Sequence, residues 1–171
     1  LSMELRWGKH GPTMPRTEQT NPMINPYLAE DGRWFWLLGV ESDRLWPKLL
    51  NAIERTEWAT DPRFLTPRER RHNAAELIAL LDELFASRPV DEWTEIFDRH
   101  DVWWAPVNTP TEVINDPQAI AAGSFVNVPG GAWSAGHRAV ASPVEFDGQP
   151  ITPGAVPALG LDHRLPGVHV H

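Results

Sequence analysis

Residues 66–118 run TPRERRHNAAELIALLDELFASRPVDEWTEIFDRHDVWWAPVNTPTEVINDPQ, and this stretch decides the fold. Thr66-Pro67-Arg68-Glu69 is a helix-start signature. The Thr66 hydroxyl accepts from a first-turn amide, Pro67 is preset for the first helical position, and Glu69 reaches back to the cap. Behind it Leu77, Leu80, Leu81, Leu84 and Phe85 fall at i, i+3, i+4, i+7 and i+8, the single stripe of one amphipathic helix. Pro89 opens a second helix on which Trp93, Ile96 and Phe97 repeat the i, i+3, i+4 spacing. Val102 to Val107 follows as a short buried strand ended by Pro106. Thr109-Pro110-Thr111-Glu112 repeats the first signature and starts another short helix.

Working outward toward the N-terminus, Tyr27 to Leu38 reads as a hairpin with its turn at Asp31-Gly32. Trp34, Trp36 and Leu38 alternate with Phe35 and Leu37, so both faces are apolar and the strand is expected to be covered on both sides. Ser42 is the expected cap of the next helix, with Asp43 complementing its positive start and Leu45, Trp46, Leu49, Leu50 and Ile53 forming its buried side. Trp34, Trp36, Trp46 and Trp93 all occupy periodic core positions, so packing explains most of the nine tryptophans. Pro12, Pro15, Pro22 and Pro26 interrupt residues 1–26, which read as a linker or arm.

Toward the C-terminus, Asp116-Pro117 begins a last helical turn that Gly123 ends. Phe125, Val126 and Val128 suggest a strand, Pro129-Gly130-Gly131 a turn, and Val140 to Phe146 a further strand. Residues 149–171 carry prolines and no stripe, and are expected to pack on a part of the protein outside this sequence. The fold class is α/β: an α+β small domain with a hairpin and short strands packed on four to five helices, and extended ends. The boundaries are an arm at 1–26, a small domain at 27–125 and a returning segment at 126–171.

Composition narrows the chemistry. No cysteine is present among 171 residues, which excludes disulfides and thiolate metal sites. A formal charge of -8 argues against nucleic acid, which needs a basic footprint. No apolar run approaches the roughly 20 residues of a membrane span, and the N-terminus lacks the build of a signal peptide, so a cytoplasmic protein is expected. His169 and His171 have the only metal-like spacing, two ligands where a site needs three or four. No Gly-x-Ser-x-Gly, phosphate loop or dinucleotide glycine fingerprint occurs. Arg63, Arg68, Arg70, Arg71 and His72 cluster near a helix start, either as an anion site or as a solvated face offsetting Glu69 and Glu76. Glu41, Asp43 and Glu54 are candidates for a general base, or serve the helix dipole.

Several short segments, in order, resemble one known family. They are Tyr27 with Asp31-Gly32-Arg33-Trp34, then Asp43-Arg44-Leu45-Trp46, Asp61-Pro62-Arg63-Phe64, Arg70 with Asn73, Glu92-Trp93, Ala105-Pro106-Val107 and Asp116-Pro117-Gln118. Together they are similar to the small domain of the family III CoA-transferases, the group of formyl-CoA transferase, carnitine CoA-transferase and 2-methylacyl-CoA racemase. Ala141-Ser142-Pro143-Val144 and Pro157-Ala158-Leu159-Gly160 resemble the segments by which that family's chain returns to its large domain. The resemblance covers roughly residues 21–160.

The resemblance implies a Rossmann-like large domain, outside this sequence, whose aspartate forms an acyl-anhydride and then a CoA thioester. It also implies an interlocked homodimer, an acyl-CoA and a carboxylic acid as substrates, and CoA as a substrate rather than a resident cofactor. No catalytic residue is carried over to this chain, which alone is expected to be inactive. The small domain is expected to act as a lid, with Asn21, Met23 and Asn25 shaping the acyl end of the pocket. Thr20-Asn21-Pro22-Met23 occupies the place of a glycine-rich loop of the formyl-CoA branch and has no glycine. Arg68, Arg70 and Arg71 are candidate CoA-phosphate ligands. The racemase reading would need a small-domain Glu near Glu41, one residue out of that branch's register to Trp46. A non-catalytic binding module is the third reading.

Overall fold

The expected hairpin forms and gains a third strand. The computed structural model describes Arg6, Gly8 and residues 14–131, 135–146 and 148–155. Strands β1 (Ile24–Leu28), β2 (Trp34–Leu38) and β3 (Trp104–Pro106) make one antiparallel sheet in the order β1-β2-β3. The register pairs Tyr27 with Phe35, Pro26 with Trp36 and Trp36 with Ala105. Gly32 closes the turn at φ +76°, in the left-handed region open to glycine, while the Asp31 carboxylate accepts from the Arg33 amide at 3.1 Å. β1 starts at Ile24, so Pro26 lies in a strand rather than in an arm. That is tolerated because β1 is at the sheet edge, where a missing N–H costs no ladder bond.

Helices α1 (Ser42–Ala52), α2 (Pro67–His72), α3 (Ala74–Phe85) and α4 (Val90–Arg99) belong to the same unit. Thr66 caps α2 as expected, its hydroxyl accepting from the Glu69 amide at 3.3 Å. The helix expected to run on to Phe85 instead breaks at Asn73 (φ -101°, ψ 27°). The Asn73 side chain takes the Arg63 and Glu69 carbonyls at 3.0 and 3.1 Å, competing with the helical ladder as short amides do. The α3 stripe packs as read: Leu77, Leu81 and Phe85 are fully buried, with Leu80 and Leu84 at the margin. Phe85 is the centre of an aromatic cluster, with ring centroids 5.0 Å from Tyr27, 5.1 Å from Phe35 and 5.2 Å from Trp93, all edge-on. That is the arrangement ring quadrupoles favour. α1 differs at its start: Glu41, not Ser42, is the cap position, and no side chain bonds the first-turn amides. Ser42 is occupied elsewhere, as described below.

Two expectations about the sheet are corrected. Phe35 and Leu37 are fully buried against the helices, but Trp34 and Trp36 stand about two-fifths exposed on the opposite side. The strand alternates cleanly, and within this chain only one of its two apolar faces is covered. β3 is likewise not buried: Trp104 and Ala105 are half-buried and Pro106 is exposed, since the strand is an edge.

The chain divides into two compact units, Leu1–Val107 and Asn108–His171. The second contains α5 (Pro110–Asn115), α6 (Pro117–Ala121), a β4–β5 hairpin (Phe125–Val128 with His137–Val140) and a β6–β7 pair (Glu145–Phe146 with Gln149–Pro150). The expected strand from Val140 to Phe146 is therefore two pieces, with the chain leaving the ladder after Val140. With α2 and α3 separate, the described residues hold six α-helices where four to five were expected. Thr109 and Glu112 form a complete capping box, and the Asp116 carboxylate caps α6 through the Ala119 amide at 2.8 Å. Gly123, at φ +68°, ends α6. Among the residues of this unit whose side chains are described, none is buried. The described residues include no helix long and apolar enough to cross a membrane.

Candidate functional site

Residues 20–27 lead into the edge strand, and side-chain bonds hold their path. The Asn21 carboxamide oxygen accepts from the Met23 amide at 3.0 Å, and the Asn21 carbonyl accepts from the Ile24 amide at 3.0 Å, a two-bond turn. The Tyr27 hydroxyl donates to the Pro22 carbonyl at 2.6 Å. Burial pushes the Tyr27 phenol well above its ordinary range, offset in part by the Asn25 amide beside it, so it stays a protonated donor. Met23 is seated between Gly39, whose amide donates to the Met23 carbonyl at 2.7 Å, and Ser42, whose hydroxyl lies 3.7 Å from the Met23 sulfur. A Cβ on Gly39 would sit 2.6 Å from the Met23 Cβ, so only glycine fits there.

The three residues expected to shape an acyl pocket are thus placed differently from one another. Asn21 is half-buried at the surface, whereas Met23 and Asn25 lie in the core. Asn25 is 0% exposed, and neither its Oδ1 nor its Nδ2 makes a well-formed hydrogen bond.

The basic cluster separates in the same way. Arg68 and Arg71 are exposed. Arg63 pairs with the Asp61 carboxylate at 2.6 Å and with Glu76. Its guanidinium holds the Asp61 carboxyl below its ordinary value. Arg70 is 3% exposed: it donates to the Phe64 carbonyl at 2.9 Å, to Asp43 at 2.9 Å and to the Ser42 hydroxyl at 3.4 Å. Its guanidinium carbon lies 4.8 Å from the Trp46 ring centroid. Burial pulls the Arg70 pKa down against the opposing effect of Asp43, from a value too high for neutralisation to follow. Arg70 therefore ties α1 to α2 instead of presenting its charge to a phosphate. Asp43 is its partner, Glu41 pairs with Arg44 at 3.3 Å, and Glu54 turns the chain after α1 at φ 56°. All three carboxylates are exposed.

Sequence reasoning missed a second basic group. Arg88, Arg99 and His100 line a hollow of about 130 Å³ with Glu54, Ile53 and Trp93. They come from separate segments, so no local motif announces them. The hollow has room for an anion the size of a phosphate, with Glu54 opposing it. Among the described residues, no three His, Asp or Glu side chains converge as metal ligands. His169 and His171 lie outside the described residues, as do residues 157–160 of the returning segment.

Comparison with known proteins identifies the architecture. The chain matches CoA-transferase family III across residues 2–163. It is 32% identical over 140 residues to an acyl-CoA transferase of Fusarium pseudograminearum, covering 81% of this chain and 31% of that protein. It is 32% identical over 116 residues to the succinyl-CoA–D-citramalate CoA-transferase of Chloroflexus aurantiacus, covering 66% of this chain and 29% of that protein. The crystal structure of a CaiB/BaiF family protein from Brucella suis superposes with a TM-score of 0.70 at 25% identity, covering 92% of this chain and 40% of that one. The chain thus spans about a third of the length of the curated relatives it matches. With the match running over nearly the whole length, the chain belongs to CoA-transferase family III.

Proposed function

We propose that this chain is the small-domain part of an acyl-CoA:carboxylate CoA-transferase. The observation that carries the reading is the family match over residues 2–163, together with relatives whose names pair a CoA thioester with a carboxylic acid. In this reading the nucleophile is an aspartate on a large domain outside the chain. It forms an anhydride with the acyl group, then a CoA thioester, and passes CoA to the incoming acid by a ping-pong route. CoA is a substrate, and the working enzyme is an interlocked homodimer.

The chain's own contribution is exclusion of water and shaping of the pocket. An enzyme-bound anhydride or thioester hydrolyses unless the site closes over it. Asn21, half-buried at the head of β1, is the group in residues 20–27 placed to meet the acyl end. Met23 acts from beneath, fixing that backbone through Gly39 and Ser42, and Asn25 is buried two residues on. Arg68 and Arg71 are the exposed cations of the cluster and the candidates to meet CoA phosphates, while Arg70 keeps a structural task.

The test is transfer of labelled CoA between two acids, run on the longer protein that contains this chain and on the 171-residue chain alone. Transfer by the former and none by the latter is expected. Exchange of the substrate's α-proton without transfer would replace this reading with a racemase. Turnover by the 171 residues alone would overturn the assignment of the nucleophile.

A further inference from the structure

The open face of the three-stranded sheet is a three-by-three lattice of apolar side chains. The register sets Ile24 beside Leu38, Pro26 beside Trp36 beside Ala105, and Leu28 beside Trp34. Backbone bonds from Leu38 to Trp103 and from Val107 to Trp34, both 2.9 Å, extend the pairing so that Trp103 and Val107 complete the corners. Seven of the nine are between 37% and 41% exposed, and the other two, Pro26 and Ala105, are half-buried between their neighbours. No charged side chain interrupts the lattice. Arg16 lies against Trp34 and Arg44 against Trp103, with guanidinium carbons 5.6 and 5.8 Å from the ring centroids. Both guanidinium groups stand over the indole rings, within reach of their negative faces.

The patch is large for a free surface. A Trp offers up to about 250 Å², so the three indoles at 38%, 39% and 38% exposure present about 300 Å². The four aliphatic chains add at most a comparable amount, bringing the face to about 600 Å², the upper end of what a soluble monomer shows. The opposite face already carries Phe35 and Leu37 against the helices of the unit. Two apolar faces on one strand describe a sheet built as a middle layer.

We propose that this face is the docking surface for the part of the longer polypeptide that lies outside this chain. The argument for that occupant is length. The matched relatives carry more than two thirds of their residues beyond the region this chain covers, and the Brucella suis protein 60% of its own. A second copy of the 171-residue chain fits less well. About 600 Å² falls short of the roughly 800 Å² per partner of a standard interface. The proposal rests on the family reading only in requiring a longer protein; it does not depend on which acyl group is moved.

The experiment is tryptophan oxidation footprinting by mass spectrometry, on the 171-residue chain and on the longer protein that contains it. In the chain, Trp34, Trp36 and Trp103 should oxidise readily, with Trp46 and Trp93, 5% and 3% exposed, as protected internal references. In the longer protein the same three should become protected together, by at least tenfold in rate. Continued reactivity there overturns the proposal. Protection already present in the monomeric chain overturns it in favour of a segment of this chain. Protection in a chain that sediments as a dimer overturns it in favour of a second copy. No turnover is read, so failure of docking and failure of CoA transfer are distinguishable.

Discussion

Arg70→Ala should be among the most damaging single changes outside the aromatic core. Its side chain makes two charge-assisted bonds, to the Phe64 carbonyl and to Asp43, and lies over the Trp46 ring. Bonds to charged groups contribute about 1.5–3 kcal/mol each, and a desolvated cation–π contact about 2. Against these stands the cost of burying a guanidinium whose Nε has no hydrogen-bond acceptor among the described residues. The balance puts the loss at about 3 kcal/mol, including the packing of the side-chain stem. With a urea m-value near 2 kcal/mol/M, the unfolding midpoint should fall by about 1.5 M. Arg70→Met, which keeps the stem, should lose only about 1 kcal/mol. Arg70→Lys should lose about 2, because a point charge cannot span both acceptors. Asp43→Asn should cost under about 1, since the Asp43 side chain is 76% exposed. Urea titrations followed by tryptophan fluorescence measure all four. An Arg70→Ala stability within about 0.5 kcal/mol of the parent would refute the account of Arg70 as the tie between α1 and α2.

Three further outcomes follow from other sites. Gly39→Ala should cost about 2–3 kcal/mol, because its Cβ meets the Met23 Cβ at 2.6 Å, and Met23→Ala in the same chain, which keeps that Cβ, should recover little of the loss in the same titration. Asn25→Leu should raise stability by about 1–2 kcal/mol by replacing a buried amide that lacks well-formed bonds; an equal loss would show that bound water satisfies the amide. Asp61 and Asp101 are held below their ordinary value of 3.8 by Arg63 and Lys48. A depressed folded-state pKa gives stability present above 3.8 and lost as pH falls through the folded value. Asp61→Asn and Asp101→Asn should therefore flatten the urea midpoint against pH below about 4 and leave its slope at neutral pH alone.

The parts of the fold legible in the sequence are those governed by local rules. The Thr66 and Thr109 caps, the Asp116 cap, the α3 stripe and the Gly32 turn each follow from a few neighbouring residues. Asn73 was the local exception, because its preference for its own backbone bonds is invisible beneath a continuous stripe. What could not be read was long-range. Alternation shows that both faces of β2 are apolar but not which is covered inside this chain. The Arg68–Arg71 cluster reads as one surface because the sequence cannot reveal that Arg70 turns inward to an acceptor 27 residues away. The Arg88–Arg99–His100 hollow joins segments with no motif in common. At the head of the chain, prolines suggested an arm, yet edge-strand geometry accepts Pro26 and brings Met23 and Asn25 into the core.

The second unit holds shaped elements with no buried residue among those whose side chains are described, and its helices are among the best capped in the chain. A capping box and an Asx cap draw their benefit from neighbours along the backbone, so they restrict the unbound ensemble before any tertiary contact is made. Part of the entropy that an unstructured stretch of the same composition would lose on ordering is here already spent. In evolution, a single substitution at Thr109 or Asp116 would tune how far the segment is ordered on its own, without altering any other side chain.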